Sequence, residues 1–214
     1  MKKYSVLEAG TLRVGMLWIA GYLRLPRVIT DYHRLFPGIR YQLHVEGSNT
    51  LLAMLDSRQI NAAFVIGSDT LSAREEYDCH KLMDDYYVAV MSREHPLAGR
   101  PLLSISDLDG KDILMPAKES SFRRDIEQVF SDHHIAPNVI CETSQSDIVM
   151  QLASQNLAVG FSSRSIAEKL LMPECCIVPL EVRLSRPIYY VTLRELMDVP
   201  AVRSFTEFVR TYHF

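Results

Sequence analysis

Residues 41–68, YQLHVEGSNTLLAMLDSRQINAAFVIGS, contain the pattern that decides the fold. Tyr41, Leu43 and Val45 alternate with polar residues, which is the period of a strand with one buried face. Residues 47–50 then interrupt the strand with residue types that tolerate unusual dihedral angles or cap helices. Helical spacing follows, and residues 62–67 form a short apolar run. The stretch predicts a β-α-β unit with parallel strands, whose first turn lies at the carboxyl edge, where ligands bind.

The same order of elements recurs on both sides of this stretch. A strand over residues 11–16 precedes a loop at residues 18–21 and a helix whose apolar residues keep helical spacing from Leu25 to Phe36. Farther along, strands at residues 113–115, 138–143 and 157–161 are each followed by a polar turn and a helical pattern. The sequence therefore predicts an α/β protein with two lobes of similar architecture.

The composition limits the classes of function. The chain has 214 residues, 48% hydrophobic content and a formal net charge of −3, which argues against strong nucleic-acid binding by the chain itself. No apolar run approaches the length of roughly 20 residues that spans a bilayer. The first residues lack the long apolar core of a signal peptide. A cytoplasmic location, with no membrane partner, is therefore expected.

The reactive residue types form no catalytic or metal-binding pattern. None of the four cysteines, Cys79, Cys141, Cys175 and Cys176, belongs to a C-x-x-C pair, so reduced thiols are expected, with a redox-sensing pair as the alternative. The histidines show no metal-ligand spacing. The sequence contains no G-x-S-x-G, P-loop or H-E-x-x-H motif. We therefore expect no enzyme activity, no cofactor and no metal.

Several short motifs occur in an order that resembles the effector-binding domain of LysR-type transcriptional regulators. They are the strand GTLRVG at residues 10–15, Leu25-Pro26 and Phe36-Pro37 around the first helix, and HPLA at residues 95–98. The run from Leu55 to Phe64 matches a further motif, but Arg58 replaces its usual glycine and Asn61 its aspartate. Residues 156–161, NLAVGF, match a stretch that usually carries two glycines, and Ser162-Ser163 stands where leucine-proline is common.

This resemblance implies a fold like the type 2 periplasmic binding proteins, in which two Rossmann-like lobes with mixed sheets are joined by two crossover strands. The first lobe would comprise residues 1–86 and 187–214, and the second residues 87–186. The crossovers would lie near residues 84–88 and 179–186. The family also implies a winged helix-turn-helix module ahead of this domain, so DNA binding is expected only through that module, which this chain lacks. Homodimers of effector domains and tetramers of the full-length protein are further expectations.

The fold would place several helix N-termini around one cleft between the lobes. Such ends offer free N–H groups and a partial positive charge, which suit a small anionic effector. The alternative for each serine or threonine is simple helix capping. The residues expected to contact the effector are Trp18, Ile19, Ala20, Ser48, Asn49 and Thr50 in the first lobe and Ser120, Ser121, Phe122, Gln145, Ser146, Phe161 and Ser162 in the second.

Two of the candidate residues carry specific alternatives. Trp18 either stacks over the effector or packs in the core or between the lobes. Arg123, near the start of a helix, either lies on a solvated face or meets an anionic effector, since cations near helix N-termini are unfavourable without a partner.

Two functions fit this sequence. The first is a regulatory domain that binds an effector and alters how a homo-oligomer presents its DNA-binding modules. The alternative is a solute-binding protein of a transport system, which shares the fold. The missing signal peptide and the unpaired cysteines favour the regulatory domain.

Overall fold

The computed structural model describes residues 10–118 and 120–214. The strands are, in chain order, β1 (Gly10–Leu17), β2 (Ile39–Glu46), β3 (Ala62–Ile66), β4 (Tyr77–Met83), β5 (Tyr87–Ser92), β6 (Asp112–Met115), β7 (Asn138–Glu142), β8 (Gly160–Ser163), β9 (Cys175–Pro179) and β10 (Ile188–Leu193). The α-helices are α1 (Pro26–Leu35), α2 (Ser48–Asp56), α3 (Asp69–Ser72), α4 (Ser121–Asp132), α5 (Ser146–Ser154), α6 (Arg164–Leu170) and α7 (Pro200–Thr211). Among the helices of these residues, none has the length and apolar character needed to cross a membrane.

The chain divides into two compact units. The first comprises the chain up to Asp84 and again from Arg186 to Phe214, and the second is Asp85–Ser185. The first unit is discontinuous because β10 and α7 return to it after the second unit is complete. The lobe boundaries expected from the sequence, after residues 86 and 186, stay a prediction.

The first unit contains a mixed five-stranded sheet in the order β2-β1-β3-β10-β4. β1 pairs in parallel with both β2 and β3, whereas β10 runs antiparallel to β3 and β4. The β-α-β unit predicted over residues 41–68 is therefore present, and the returning strand makes the sheet mixed, as the family resemblance implied.

Close packing of α2 on β1 explains a glycine in the middle of a buried strand. Leu51 and Leu55 of α2 are fully buried. A Cβ atom at Gly15 would lie 2.7 Å from Leu51 Cδ2 and 2.8 Å from Ile60 Cδ1, so a larger residue would force these side chains to shift. Elsewhere in this core, the buried hydroxyl of Tyr190 meets that of Thr206 of α7 at 2.8 Å, which satisfies both polar groups.

The structure accounts for the two departures from the family pattern after α2. Arg58 has φ +59°, a left-handed conformation that glycine adopts without strain, and its guanidinium pairs with Glu195 at 2.6 Å. Asn61 is 8% exposed, and its Oδ1 accepts a hydrogen bond from the Arg13 N–H at 2.8 Å. An asparagine amide accepts such a bond as a carboxylate does, without burying a charge.

One prediction from the alternating pattern of β2 is wrong. Leu43 is 48% exposed and Val45 is 43% exposed, although the period-2 pattern placed both on a buried face. β2 is the edge strand of the sheet and has a hydrogen-bonded neighbour on one side only, so its side chains receive less cover than those of β1 and β3.

The second unit consists of two small sheets that a single bridge connects. β5 pairs antiparallel with β8 and β9, and β6 pairs in parallel with β7. The bridge joins Ile113 to Val159 in parallel, just before β8 begins. Asn156, just after α5, has φ +56°, a left-handed conformation that asparagine tolerates at the end of a helix. β6, β7 and the chain entering β8 therefore run in the same direction.

We expect Gly160→Ala to destabilise the protein by about 2 kcal/mol, because added volume in a packed core forces neighbouring groups to shift. A Cβ atom there would collide with Cγ1 of Val149, a branched and buried side chain that has little freedom to move. Urea unfolding measures the change. Gly99→Ala is the control, since nothing lies within 4 Å of that Cβ position. Equal midpoints for the two variants would contradict this account of the packing.

Candidate functional site

In the first unit, the register of parallel strands brings two of the predicted turns together. Leu17, the last residue of β1, is paired with Glu46, the last residue of β2. The next residues along each chain segment, Trp18 and Gly47, therefore begin neighbouring turns at the same edge of the sheet. One turn carries Trp18, Ile19 and Ala20, and the other opens α2 with Ser48, Asn49 and Thr50.

These six residues differ in how much surface they offer. Asn49 and Thr50 are exposed, and Trp18 is 68% exposed, so the alternative in which Trp18 fills the core is wrong. Ile19 is half-buried and packs on the core, and Ala20 is buried. The surface of these turns therefore consists of one large aromatic ring and two small polar side chains.

The Ser48 hydroxyl has a structural role in this unit. Its Oγ accepts a hydrogen bond from the Ile66 N–H at 3.0 Å, which ties the first turn of α2 to the end of β3. The Ser48 O–H can still donate a hydrogen bond of its own. Ser48 thus positions the turn, whether or not it also contacts a ligand.

In the second unit, the turns after β6 and β7 are held side by side. The Thr143 N–H donates to the Met115 carbonyl at 2.9 Å, and the Ala117 N–H donates to the Ser144 Oγ at 3.1 Å. Because β6 and β7 run in parallel, the segments at Ser120 and Gln145 lie at the same sheet edge, whereas Ser162 is the third residue of β8 and pairs with Val88 of β5.

The predicted contact residues of this unit fall into two groups. Ser120 and Ser146 are half-buried and Gln145 is exposed, so their polar groups face or approach the surface. Phe122 is buried and stacks on Tyr87 with ring centroids 3.3 Å apart. Phe161 is buried too, at 6.0 Å from Phe122 in an edge-to-face arrangement. Phe122 and Phe161 therefore belong to the hydrophobic core of the second unit.

The expectation that side chains cap these helices is wrong at three helix starts. The N-cap residues of α2, α4 and α5 are Gly47, Ser120 and Gln145, and none of them makes a side-chain hydrogen bond to its helix. Ser48 and Ser146 stand one position later, as the first helical residues. Side-chain capping does occur near residue 104, where the Asp107 carboxylate accepts from the Ser104 N–H at 3.0 Å.

Ser162 is a buried polar residue that lacks a protein partner. It is 3% exposed, and its Oγ has no hydrogen-bond partner within the described part of the chain. The neighbouring Ser163 Oγ has none either, and the buried Asp85 keeps one carboxylate oxygen unpaired, while the other accepts from the Tyr86 and Ser165 N–H groups. A buried hydroxyl without a partner is unfavourable, so such groups require an explanation.

Arg123 lies inside the second unit, which excludes the solvated-face interpretation. The residue is 8% exposed, and its guanidinium hydrogen-bonds Glu127, Glu142 and the Pro116 carbonyl. The hydrogen bond to Glu127 is the largest cause that raises the pKa of Arg123, and burial opposes it. These contacts occupy the Nε and Nη1 positions with acceptors from the protein.

A separate surface cavity lies away from these turns. Its volume is about 360 Å³, and ion pairs of the first unit line it, including Arg58 with Glu195 at 2.6 Å and Arg74 with Glu76 at 2.5 Å. α2 runs from the predicted turn at Ser48 to Asp56 in this cavity, so the two places lie at opposite ends of the helix. Paired charges on its walls leave little to attract an anion.

The cysteines do not have the character of redox sensors. All four are free thiols. Burial raises the pKa of Cys79 to about 11, and it raises the pKa values of Cys175 and Cys176 as well. A raised pKa lowers the fraction of reactive thiolate. Among the residues that the structure describes, no group of three histidine, cysteine or acidic side chains could hold a metal ion.

Comparison with known proteins identifies a family. A family model described as the LysR substrate binding domain matches residues 6–213. A probable RuBisCO transcriptional regulator of Thalassiosira pseudonana is 23% identical over 192 residues, which cover 86% of this chain and 62% of that protein. The chain spans about half the length of other curated relatives that it matches.

Two solved structures share the fold. The regulatory domain of Synechocystis PCC6803 CcmR, in complex with 2-PG, has a TM-score of 0.81 and 19% identity over 95% of this chain and 97% of that one. The effector binding domain of QuiR, in complex with shikimate, has a TM-score of 0.77 and 17% identity over 96% of this chain and 97% of that one. At these identities, the likeness shows the fold alone.

We expect Cys79 to react with iodoacetamide at pH 8 at least about tenfold more slowly in the folded protein than in urea, because a pKa of about 11 lowers the thiolate fraction. The rate should rise as the pH approaches 11, since more thiolate forms. Mass spectrometry of the Cys79 peptide after timed alkylation measures both effects. Equal rates in the folded and unfolded protein would show that the site is not protected.

Proposed function

The chain belongs to the LysR substrate-binding domain family, and on that premise we propose that it binds a small anionic metabolite and so modulates DNA binding by a full-length regulator. The curated relative named above is a probable transcriptional regulator, and a further one, the activator CmpR of Synechocystis, is also a transcriptional regulator rather than an enzyme. They also favour regulation over the alternative of a solute-binding protein for transport. A cytoplasmic location, close to the DNA, is part of the same proposal.

The observation that carries the proposal is the set of uncapped helix starts at the carboxyl edges of the sheets. The first N–H groups of a helix have no partner within the helix, and the helix dipole makes this end partly positive. α2 in the first unit and α4 and α5 in the second begin there without a side-chain cap. Helix ends of this kind bind carboxylates and phosphates.

The Ser162 hydroxyl is a second feature that supports binding of an anionic effector. It is buried within β8, the strand whose entry runs parallel to β6, and among the described residues it has no hydrogen-bond partner. An effector oxygen in hydrogen-bond reach would satisfy it. Because Arg123 already pairs with Glu127 and Glu142, we propose that N–H and hydroxyl groups, rather than a guanidinium, recognise the anion in this unit.

The chemical class of the effector follows from these donors. Small carboxylates and phosphates present several acceptor oxygens to N–H and hydroxyl donors. The two related domains described above hold 2-PG and shikimate, which are both anions at neutral pH. That both units of this chain hold the same molecule stays a prediction. An effector alters the regulator only through its different affinity for two conformations.

We expect a bound effector to raise the melting temperature by roughly 5–10 °C at 100 times its Kd. The test is a thermal-shift screen with 2-PG, shikimate, benzoate and amino acids. The compound that binds should lose most of its shift in Thr50→Val and in Ser162→Ala. Without the compound, Ser162→Ala should melt at the same or a higher temperature than the wild type, because it removes an unsatisfied buried group.

Ser163→Ala is a matched control for the Ser162 variant. Both hydroxyls are buried and unpartnered, but consecutive residues of a strand point to opposite faces. The Ser163 variant should therefore keep the thermal shift. If both variants lose the shift equally, or if neither does, Ser162 does not contact the effector.

The exposed apolar side chains of β2 support a homo-oligomer. Leu43 and Val45 are 48% and 43% exposed on an edge strand whose outer N–H and C=O groups have no strand neighbour. Such an edge readily pairs with another chain unless it is covered. We propose that a second copy of this chain covers β2, consistent with the oligomers implied by the family resemblance.

We expect Leu43→Glu to shift the protein toward monomer in sedimentation velocity, because a charge at the edge opposes burial of β2 against a second copy. Leu102→Glu is the control: Leu102 is 50% exposed, similar to Leu43, but it lies outside the strands. A wild-type chain that is monomeric at high concentration, or a Leu43 variant that remains oligomeric, would contradict the proposed interface.

A further inference from the structure

Arg123 lies at a position that is unfavourable for an arginine unless its charge is paired. It is the third residue of α4, near the partly positive end of the helix, and it is 8% exposed. Arginine side chains are almost never buried this far without partners, because their charge must be taken out of water. The contacts of the guanidinium therefore indicate what the residue does.

One nitrogen of the guanidinium reaches both turns of the second unit. Nη1 donates to the Pro116 carbonyl at 3.1 Å, where the turn leading to α4 begins. The same Nη1 donates to the Glu142 carboxylate at 2.9 Å, on the last residue of β7 and just before the turn leading to α5. Arg123 thus bridges the two segments that carry Ser120 and Gln145.

The third contact fixes the guanidinium rather than the turns. Nε donates to Glu127, which lies one helical turn farther along α4 and is half-exposed. This bond stays within α4 and reaches neither turn. A lysine has one ammonium group and no fork, so it cannot make the contacts to Glu127, Glu142 and Pro116 in the same geometry.

We infer that Arg123 is a positioning residue for the effector site: it locks the turns after β6 and β7 together and does not touch the effector. The inference rests on the proposed function, since it assigns a purpose to the lock. It also separates two roles within the site. Ser162 and the helix N–H groups recognise the anion, and Arg123 keeps those N–H groups of α4 and α5 at a fixed spacing.

Amide hydrogen exchange tests the lock without any effector. In Arg123→Lys and Glu142→Gln, peptides covering residues 117–122 and 143–146 should exchange about tenfold faster than in the wild type, because a charged hydrogen bond between the turns is lost. Peptides over residues 47–52 of the first unit should not change. Glu127→Gln is the matched control and should have a much smaller effect on both turns, since Glu127 touches neither. Arg123→Met, which removes the charge as well, should show the largest increase if it folds.

A second experiment measures effector binding, with whichever of 2-PG, shikimate or benzoate binds the wild type. Arg123→Lys and Glu142→Gln should each weaken effector binding about tenfold or more, whereas Glu127→Gln should change binding little. In exchange-monitored heating, the β5 and β9 peptides of these variants should melt at nearly the wild-type temperature. If no probe binds, the proposed effector class is wrong, and the exchange result still shows whether Arg123 holds the two turns together. Unchanged exchange in both turns of the Lys and Gln variants, or an equal increase in Glu127→Gln, would overturn the inference.

Discussion

The hydrogen-bond register of parallel strands is the constraint on which the candidate site depends. The β1–β2 pairing is continuous from Gly10 with Ile39 to Leu17 with Glu46, so these two strands end side by side. This pairing puts Trp18 and Gly47 at adjacent positions although 28 residues separate them in the sequence. The turns of each unit are thus brought together by the backbone of the sheet, and side chains such as Ser48 and Arg123 then adjust them.

Buried polar groups separate structural roles from binding roles in this protein. Asn61 is buried, and its side-chain oxygen and backbone groups are paired: its Oδ1 accepts from the Arg13 N–H, its N–H donates to the Arg13 carbonyl at 2.7 Å, and its carbonyl accepts from the Thr192 hydroxyl at 2.7 Å. Such a residue stabilises the fold. Ser162 is equally buried and unsatisfied. An effector oxygen within reach of Ser162 would supply its missing partner.

Local sequence patterns were sufficient to predict β1, β2, β3, β6 and β7 and the turns that follow them, because each depends on neighbours a few residues away. They failed where the outcome depends on distant parts of the chain. Leu43 and Val45 have the period of a buried face, but their exposure follows from the edge position of β2, which only the strand order decides. Arg123 could be suspected from its unfavourable place in α4, but its partner Glu142 belongs to another strand. Ser48 was identified as a turn residue, and its bond to Ile66 N–H was not foreseeable from spacing.

The uncapped helix starts connect stability with function. A serine or asparagine that caps a helix contributes about 1 kcal/mol, so the absence of side-chain caps on the described α-helices, α2, α4 and α5 among them, lowers the stability of the free protein. A binding protein gains from this arrangement, because N–H groups that are already paired would have to break a hydrogen bond before they could hold an anion. The turns must then be kept in place by contacts that leave the N–H groups open. Arg123 meets this requirement, since it holds the Pro116 carbonyl and the Glu142 side chain. The Ser144 hydroxyl meets it too, because it accepts from the Ala117 N–H, which lies ahead of α4. The order of the site therefore comes from residues that surround the donors rather than from the donors themselves.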